Sequence, residues 1–273
     1  MSLRDVGPGW LFCPADRPDR FAKAAAAADL VILDLEDGVA DADKPAARKA
    51  LRDNPLDPER TVVRINAAGT DDYARDIEAL AETAYATVML PKTESAAQVL
   101  ALAPRDVVAL VESARGALLI NEIAAADNTV AMMYGAEDLT ASLGGSSSRG
   151  PDGTYRDVTR YVRSATLLAA SAFGRLALDA VHLDIPDADG LRAEATDAAA
   201  MGFDVTVSIH PSQVAIVRKA YRPSDDKLDW ARRVLAAAKN ERGVFKFEGQ
   251  MVDSPVLKHA QTMLRRAGED VPG

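Results

Sequence analysis

Asp34, Glu36, Asp37, Arg64, Asn66, Lys92, Glu112, Glu137, Asp138, Asp184 and His210 each stand at or just beyond the end of a short apolar run. Carboxylates directed into one space repel each other unless a cation lies among them. Oxygen ligands of this kind suit a hard ion, Mg²⁺ rather than Zn²⁺, and the chain has no Cys/His cluster of the zinc type. Glu112 and Asp138 each follow a strongly apolar run and form the best ligand pair. The competing reading of either is a strand-end carboxylate that caps a helix or pairs with Arg or Lys. Arg64 interrupts an apolar run, and a buried guanidinium needs an anion. That anion is Glu36, a substrate carboxylate held by two parallel hydrogen bonds, or both. Glu36 and Asp37 are expected to support the site from behind the ligands. Lys92, after Pro91, reads as a structural partner of the acidic cluster. His210, before a helix, reads as a hydrogen-bonding strand-end residue. The chain lacks GxGxxG, a Walker loop and a GxSxG elbow, which removes the common nucleotide-binding and serine-hydrolase readings.

The runs that carry these residues are Trp10–Cys13, Leu30–Asp37, Thr61–Asn66, Thr87–Lys92, Val107–Glu112, Thr129–Asp138, Ala180–Asp184 and Asp204–His210. Continuous apolar runs are the signature of parallel strands buried on both faces, whose carboxyl ends carry chemistry. Amphipathic, alanine-rich segments separate them: Arg20–Ala28, Lys44–Arg52, Asp71–Ala84, Ser95–Leu102, Ala114–Ala126, Arg156–Phe173, Leu191–Ala200 and Pro211–Tyr221. Pro45 and Pro211 suit early helical positions, and Ser113 suits an N-cap. Eight alternations of strand and helix predict an α/β fold, a (β/α)8 TIM barrel, over an open doubly wound sheet. The barrel is expected over residues 1–221, with a C-terminal helical extension over 222–273. In that extension Asp225–Arg242 and Ser254–Ala267 read as helices, and Val244–Asp253 alternates irregularly. The loop Leu143–Thr154 is rich in Gly and Ser and suits a mobile lid.

Bulk composition narrows the partners. The chain has 273 residues, 48% of them hydrophobic, and a net charge of −9. That balance argues against nucleic acid. Cys13 is the lone cysteine, which suits a reducing cytoplasm. Met1–Pro8 lacks an apolar secretory core, and no apolar stretch approaches the ~20 residues of a membrane span.

The motifs LDLEDGV (Leu33–Val39), VRIN (Val63–Asn66), LPK (Leu90–Lys92), VESARG (Val111–Gly116), GAEDL (Gly135–Leu139) and FEGQMVDSP (Phe247–Pro255) follow one another in order. In these the chain resembles the citrate lyase β-subunit family, which includes malyl-CoA and citramalyl-CoA lyases. The resemblance spans nearly the whole chain. It implies a barrel that assembles as homotrimers or dimers of trimers, with Glu112 and Asp138 on Mg²⁺, Mn²⁺ as a substitute, Glu112 also touching substrate, and Arg64 on the substrate carboxylate. It further implies that Asp253, in the tail, enters a neighbouring subunit's active site as the proton donor and acceptor. On its own residues Asp253 reads as a helix start before Ser254 and Pro255. CoA is expected over the barrel mouth, near Arg17, Arg20 or Lys23. The implied reaction is cleavage or formation of a 3-hydroxyacyl-CoA thioester, of malyl, citramalyl, citryl or 3-hydroxy-3-methylglutaryl type, with a small keto acid as the other fragment. The alternatives are a CoA-independent 2-keto acid aldolase, a malyl-CoA thioesterase or malate synthase activity, and a non-catalytic subunit that binds an acyl carrier.

Overall fold

Eight parallel strands close into a barrel in chain order in a computed structural model that describes residues 3–239, 241 and 243–269. They are β1 (Gly9–Pro14), β2 (Leu30–Asp34), β3 (Thr61–Arg64), β4 (Thr87–Leu90), β5 (Asp106–Val111), β6 (Thr129–Tyr134), β7 (Leu176–Asp179) and β8 (Val205–Ser208). Closure is made by β8 against β1, with Trp10 opposite Val207 and Leu11 opposite Ser208.

The strand sequences explain the core. Side chains alternate between faces along a strand. Trp10, Leu30, Ile32, Val62, Met89, Val108, Leu110, Ala131, Met133, Leu176, Leu178, Val205 and Val207 form one buried cluster, the filling of the barrel. Their alternate neighbours, such as Leu11, Val31, Val63, Val88, Ala109 and Met132, are also buried. With both faces covered, each strand reads as an unbroken apolar run rather than an alternating one. Helix starts follow local chemistry: Ser113 accepts the Gly116 N–H at 3.1 Å, capping Ala114–Leu118 as its sequence position suggests.

Three expected elements move. The seventh strand is Leu176–Asp179, not Ala180–Asp184, which lies in the following loop. LALDAVHLD contains two apolar runs that each end on Leu-Asp, and the first is the one paired with β6 and β8. The sixth strand stops at Tyr134, and Ala136–Ser142 is a helix, so Glu137 and Asp138 occupy its first turn. Acidic residues are favoured there by the helix dipole. The segment Ala114–Ala126 is two helices, Ala114–Leu118 and Ile120–Ala125.

The chain divides into two compact units, Met1–Val217 and Arg218–Gly273. In the second, the helices Asp225–Ala238 and Ser254–Arg266 accompany an antiparallel hairpin of β9 (Phe245–Phe247) and β10 (Gln250–Val252). Arg242, the expected end of the first of these helices, lies outside the described residues. Leu228, Ala231, Val234, Leu235, Val252, Ala260 and Leu264 form this unit's own core. Among the described residues no helix is long and apolar enough to cross a membrane.

Candidate active site

The carboxyl ends of β2 to β6 deliver a connected set of charges. Asp34, the last residue of β2, points to the same interior side as Ile32, and Arg64 follows Val62 in the same way. Arg64 donates from Nε to Asp34 Oδ1 at 2.7 Å and from Nη2 to Asp34 Oδ2 at 2.6 Å. Its Nη1 lies 3.0 Å from Glu36 Oε2, and its guanidinium sits 4.7 Å from the Phe12 ring centroid. The principal partner is therefore Asp34, and Glu36 comes second. Asp34 is held in turn by the N–H groups of Glu36 and Gly38, both at 2.9 Å. A guanidinium has five N–H donors, so Asp34 leaves Arg64 with donors for a second carboxylate. Burial alone would lower the Arg64 pKa; the hydrogen bonds and charges of Asp34 and Glu36 outweigh it and hold it above the ordinary value.

Glu112 directly follows β5 and is buried. Its Oε1 accepts the Lys92 N–H at 2.9 Å. Its Oε2 lies where residue 135 has no side chain: a Cβ on Gly135 would come within 2.4 Å of it. Glycine at the start of the Ala136–Ser142 helix thus lets the helix carrying Asp138 approach Glu112. Burial first, and then the Asp138 charge, push the Glu112 carboxyl up to about 8. A second carboxylate beside a buried one that already holds its proton more tightly is what a cation would relieve. Among the described residues no three Asp, Glu, His or Cys side chains converge as a complete metal cluster. Two carboxylates suit Mg²⁺, which usually keeps several waters and takes one or two protein carboxylates.

Lys92 pairs with the acidic cluster, as its sequence position suggests, and reaches Asp138 as well. Its Nζ is 2.6 Å from Glu36 Oε1, 3.6 Å from Asp37 Oδ2 and 3.7 Å from Asp138 Oδ1. Glu36 is buried between Arg64 and Lys92, and its Oε2 has no hydrogen bond of acceptable geometry. Asp37 is exposed. The other strand-end residues separate from this group. Asn66 is tied to Asp76, to Lys44 and to the Leu35 carbonyl. His210 pairs through Nδ1 with Ser212 Oγ at 2.8 Å, in keeping with its expected role. Asp184 is exposed in the loop after β7.

A cavity of about 230 Å³ opens over this group. Arg64, Glu112 and Asp138 line its charged side, and Leu110, Met133 and Val181 are among its apolar lining. Arg149, from the loop Leu143–Thr154, also lines it. That loop is pinned: Ser148 donates to Glu137 Oε1 at 2.5 Å, and Arg149 donates to Glu194 Oε1 at 2.5 Å while its guanidinium lies 3.9 Å from the Tyr155 ring centroid. A larger cavity, about 430 Å³, is lined by residues at the strands' amino ends, including Thr87, Asp106 and Leu176. It has none of these carboxylates, and its Arg175 is hydrogen-bonded to the carbonyls of Ala124 and Ala126. The smaller cavity is the one that gathers Arg64 and the strand-end carboxylates.

Asp253 lies in the second unit. It is the N-cap of Ser254–Arg266, accepting the Val256 N–H at 3.3 Å on Oδ1.

A citrate lyase subunit beta-like protein of Mycobacterium tuberculosis is 79% identical over 98% of both chains. The human mitochondrial citramalyl-CoA lyase is 34% identical over 88% of this chain and 78% of its own length. A crystal structure of the M. tuberculosis protein CitE, in complex with magnesium, acetoacetate and coenzyme A, superposes with a TM-score of 0.95 at 79% identity, covering 98% of this chain and all of that one. Residues 9–211 match the HpcH/HpaI aldolase/citrate lyase family, and the chain belongs to that family.

Proposed function

We propose that this chain is a Mg²⁺-dependent carbon–carbon lyase. It cleaves or forms a 3-hydroxyacyl-CoA thioester of malyl, citramalyl, citryl or 3-hydroxy-3-methylglutaryl type, giving acetyl-CoA or a related acyl-CoA and a keto acid. The observation that carries this reading is the convergence of Glu112, Asp138 and Arg64 on one small cavity with an apolar side. The magnesium, acetoacetate and coenzyme A bound to the M. tuberculosis relative support it.

Glu112 and Asp138 would hold the cation, Mg²⁺ or Mn²⁺ in its place. Bound there, the ion supplies Lewis acidity, which lowers the pKa of the β-hydroxyl and stabilises the oxyanion that follows. Arg64 keeps its contact with Asp34 and uses its remaining N–H groups to fix the substrate carboxylate, which turns the reacting carbon toward the ligands. The candidate thioesters differ by a hydrogen, a methyl or a carboxymethyl at one carbon, and Leu110, Met133 and Val181 would receive the hydrogen or the methyl. One methylene in such a pocket is worth only ~1–3 kcal/mol. As the carbon–carbon bond breaks, the β-hydroxyl gives its proton to water and becomes the keto carbonyl. The thioester enolate so formed takes a proton at carbon from Asp253 of a neighbouring subunit, and in the condensation direction Asp253 removes it. Residues 222–273 are on this reading an extension that serves a neighbour within a homotrimer or dimer of trimers. A cytoplasmic location belongs to the same reading and rests on the lone cysteine.

The test is a panel of the four thioesters, following keto acid release. Release from at least one, dependent on Mg²⁺ and reduced on the order of 100-fold or more in Glu112→Ala and Asp138→Ala, is expected. Cleavage of free 2-keto acid aldols without CoA would replace the proposal with a CoA-independent aldolase. Thiol release without keto acid would replace it with a thioesterase. If neither Mg²⁺ nor acetyl-CoA raised the melting temperature, a non-catalytic acyl-carrier-binding subunit would be favoured.

A further inference from the structure

Lys92 reaches both proposed metal ligands with different atoms. Its backbone N–H donates to Glu112 Oε1 at 2.9 Å, and its ammonium stands 3.7 Å from Asp138 Oδ1. The same ammonium lies closer to two further carboxylates, Glu36 at 2.6 Å and Asp37 at 3.6 Å. The backbone of Lys92 has φ +49°, one of two non-glycine residues with positive φ among those described. Such conformations are uncommon for residues other than glycine and persist where the surroundings over-determine them.

This placement has a consequence for coordination. Glu36, Asp37, Glu112 and Asp138 all lie around one ammonium or its adjoining amide. Mg²⁺ requires a near-octahedral set of oxygens. Every protein carboxylate that joins it takes a position from substrate or water. A site for a substrate that binds through two oxygens needs few protein ligands, and a crowd of acids must be kept off.

We propose that Lys92 withholds Glu36 and Asp37 from the metal, so that Glu112 and Asp138 are its protein ligands and the remaining positions go to substrate oxygens and water. This rests on the reading that Glu112 and Asp138 take Mg²⁺. Lys92 is on this account a positioning residue. Its amide fixes one oxygen of Glu112, and its ammonium keeps Glu36 between itself and Arg64.

The experiment uses the full chain and Lys92→Met, which keeps the side-chain length and removes the charge. Mg²⁺ binding is measured by calorimetry without substrate, and the hydration of bound Mn²⁺ by water-proton relaxation. Lys92→Met is expected to bind Mg²⁺ about tenfold more tightly and to lower the relaxation per bound Mn²⁺, as carboxylates replace water. Adding Glu36→Gln should reverse most of both changes. Unchanged or weaker Mg²⁺ binding in Lys92→Met, with wild-type binding lost in Glu112→Ala, overturns the proposal and leaves the ligand reading standing. Tighter binding with unchanged relaxation reduces the effect to charge alone and also overturns it. Wild-type affinity that survives both Glu112→Ala and Asp138→Ala overturns the ligand reading and this proposal together. If Lys92→Met does not fold, Lys92→Asn, a residue type that tolerates positive φ, is read by the same two measurements.

Discussion

Two guanidinium–carboxylate pairs in the barrel unit look alike and face different surroundings. Arg64 grips Asp34 through Nε and Nη2 at 2.7 and 2.6 Å, beneath the cavity. Arg163, on the helix Asp157–Ala172, grips Asp179 at the end of β7 through the same two nitrogens, both at 3.0 Å. Each arginine lies over a phenylalanine, Phe12 or Phe203. The facing of the strands separates them. Asp34 alternates with interior residues of β2, whereas Leu176 and Leu178 fill the barrel and leave Asp179 facing the helices. There the remaining capacity is taken up: Tyr134 donates to Asp179 Oδ1 at 2.7 Å, and Asp197 accepts from Arg163 Nη1 at 2.7 Å. Asp179 is buried and fully engaged, while Arg64 retains donors beside an open volume. On the proposed function, a buried ion pair becomes a recognition element when it faces the cavity and is left incomplete.

Substitution should separate the two pairs by activity, since either loss leaves a buried aspartate without its cation. Arg64→Met is expected to lower kcat/KM on the order of 1000-fold, about 4 kcal/mol of transition-state stabilisation. Steady-state assays on folded protein check it, and a loss below tenfold would make Arg64 structural. Arg163→Met leaves Asp179 buried without its cation and should destabilise the fold by about 3–5 kcal/mol. Urea unfolding measures that loss, and kcat/KM of the folded fraction should stay close to wild type. A collapse of kcat/KM at unchanged stability would show the two pairs to be equivalent.

The gentlest test uses pH. Glu112 ionises near 8 in the folded chain against an ordinary 4.5. Between those values the folded state keeps a proton that the unfolded state has lost. Metal-free protein should therefore lose stability as pH rises across that window, with a slope of at most ~1.4 kcal/mol per pH unit for one proton. Chemical unfolding from pH 5 to 8 would show it. Glu112→Gln should flatten the slope, and so should saturating Mg²⁺. A slope that persists in Glu112→Gln would assign it to another group.

Much of the barrel was legible because burial on both faces writes itself into sequence as uninterrupted apolar runs. Glu112 and Arg64 were legible for the same reason, since each stands at a run's end, and both line the cavity. Asp138 was found by its neighbours but assigned to the wrong element. TVAMMYGAED carries no mark of where β6 gives way to a helix, apart from Gly135. The seventh strand slipped because two Leu-Asp runs compete and only tertiary pairing chooses between them. Lys92 was legible as a partner of the acidic cluster, but its positive φ and its amide contact with Glu112, 20 residues away, were not. Asp253 shows its capping role locally, and nothing in its own neighbourhood suggests chemistry.

The two tryptophans of the chain fall one to each unit. Trp10 is enclosed in the barrel filling, and Trp230 packs against the second unit's apolar cluster. Replacing either indole with phenylalanine leaves a single tryptophan that reports on its own unit when it is excited apart from the six tyrosines. The order in which the halves melt can therefore be read from intrinsic emission, with no label attached.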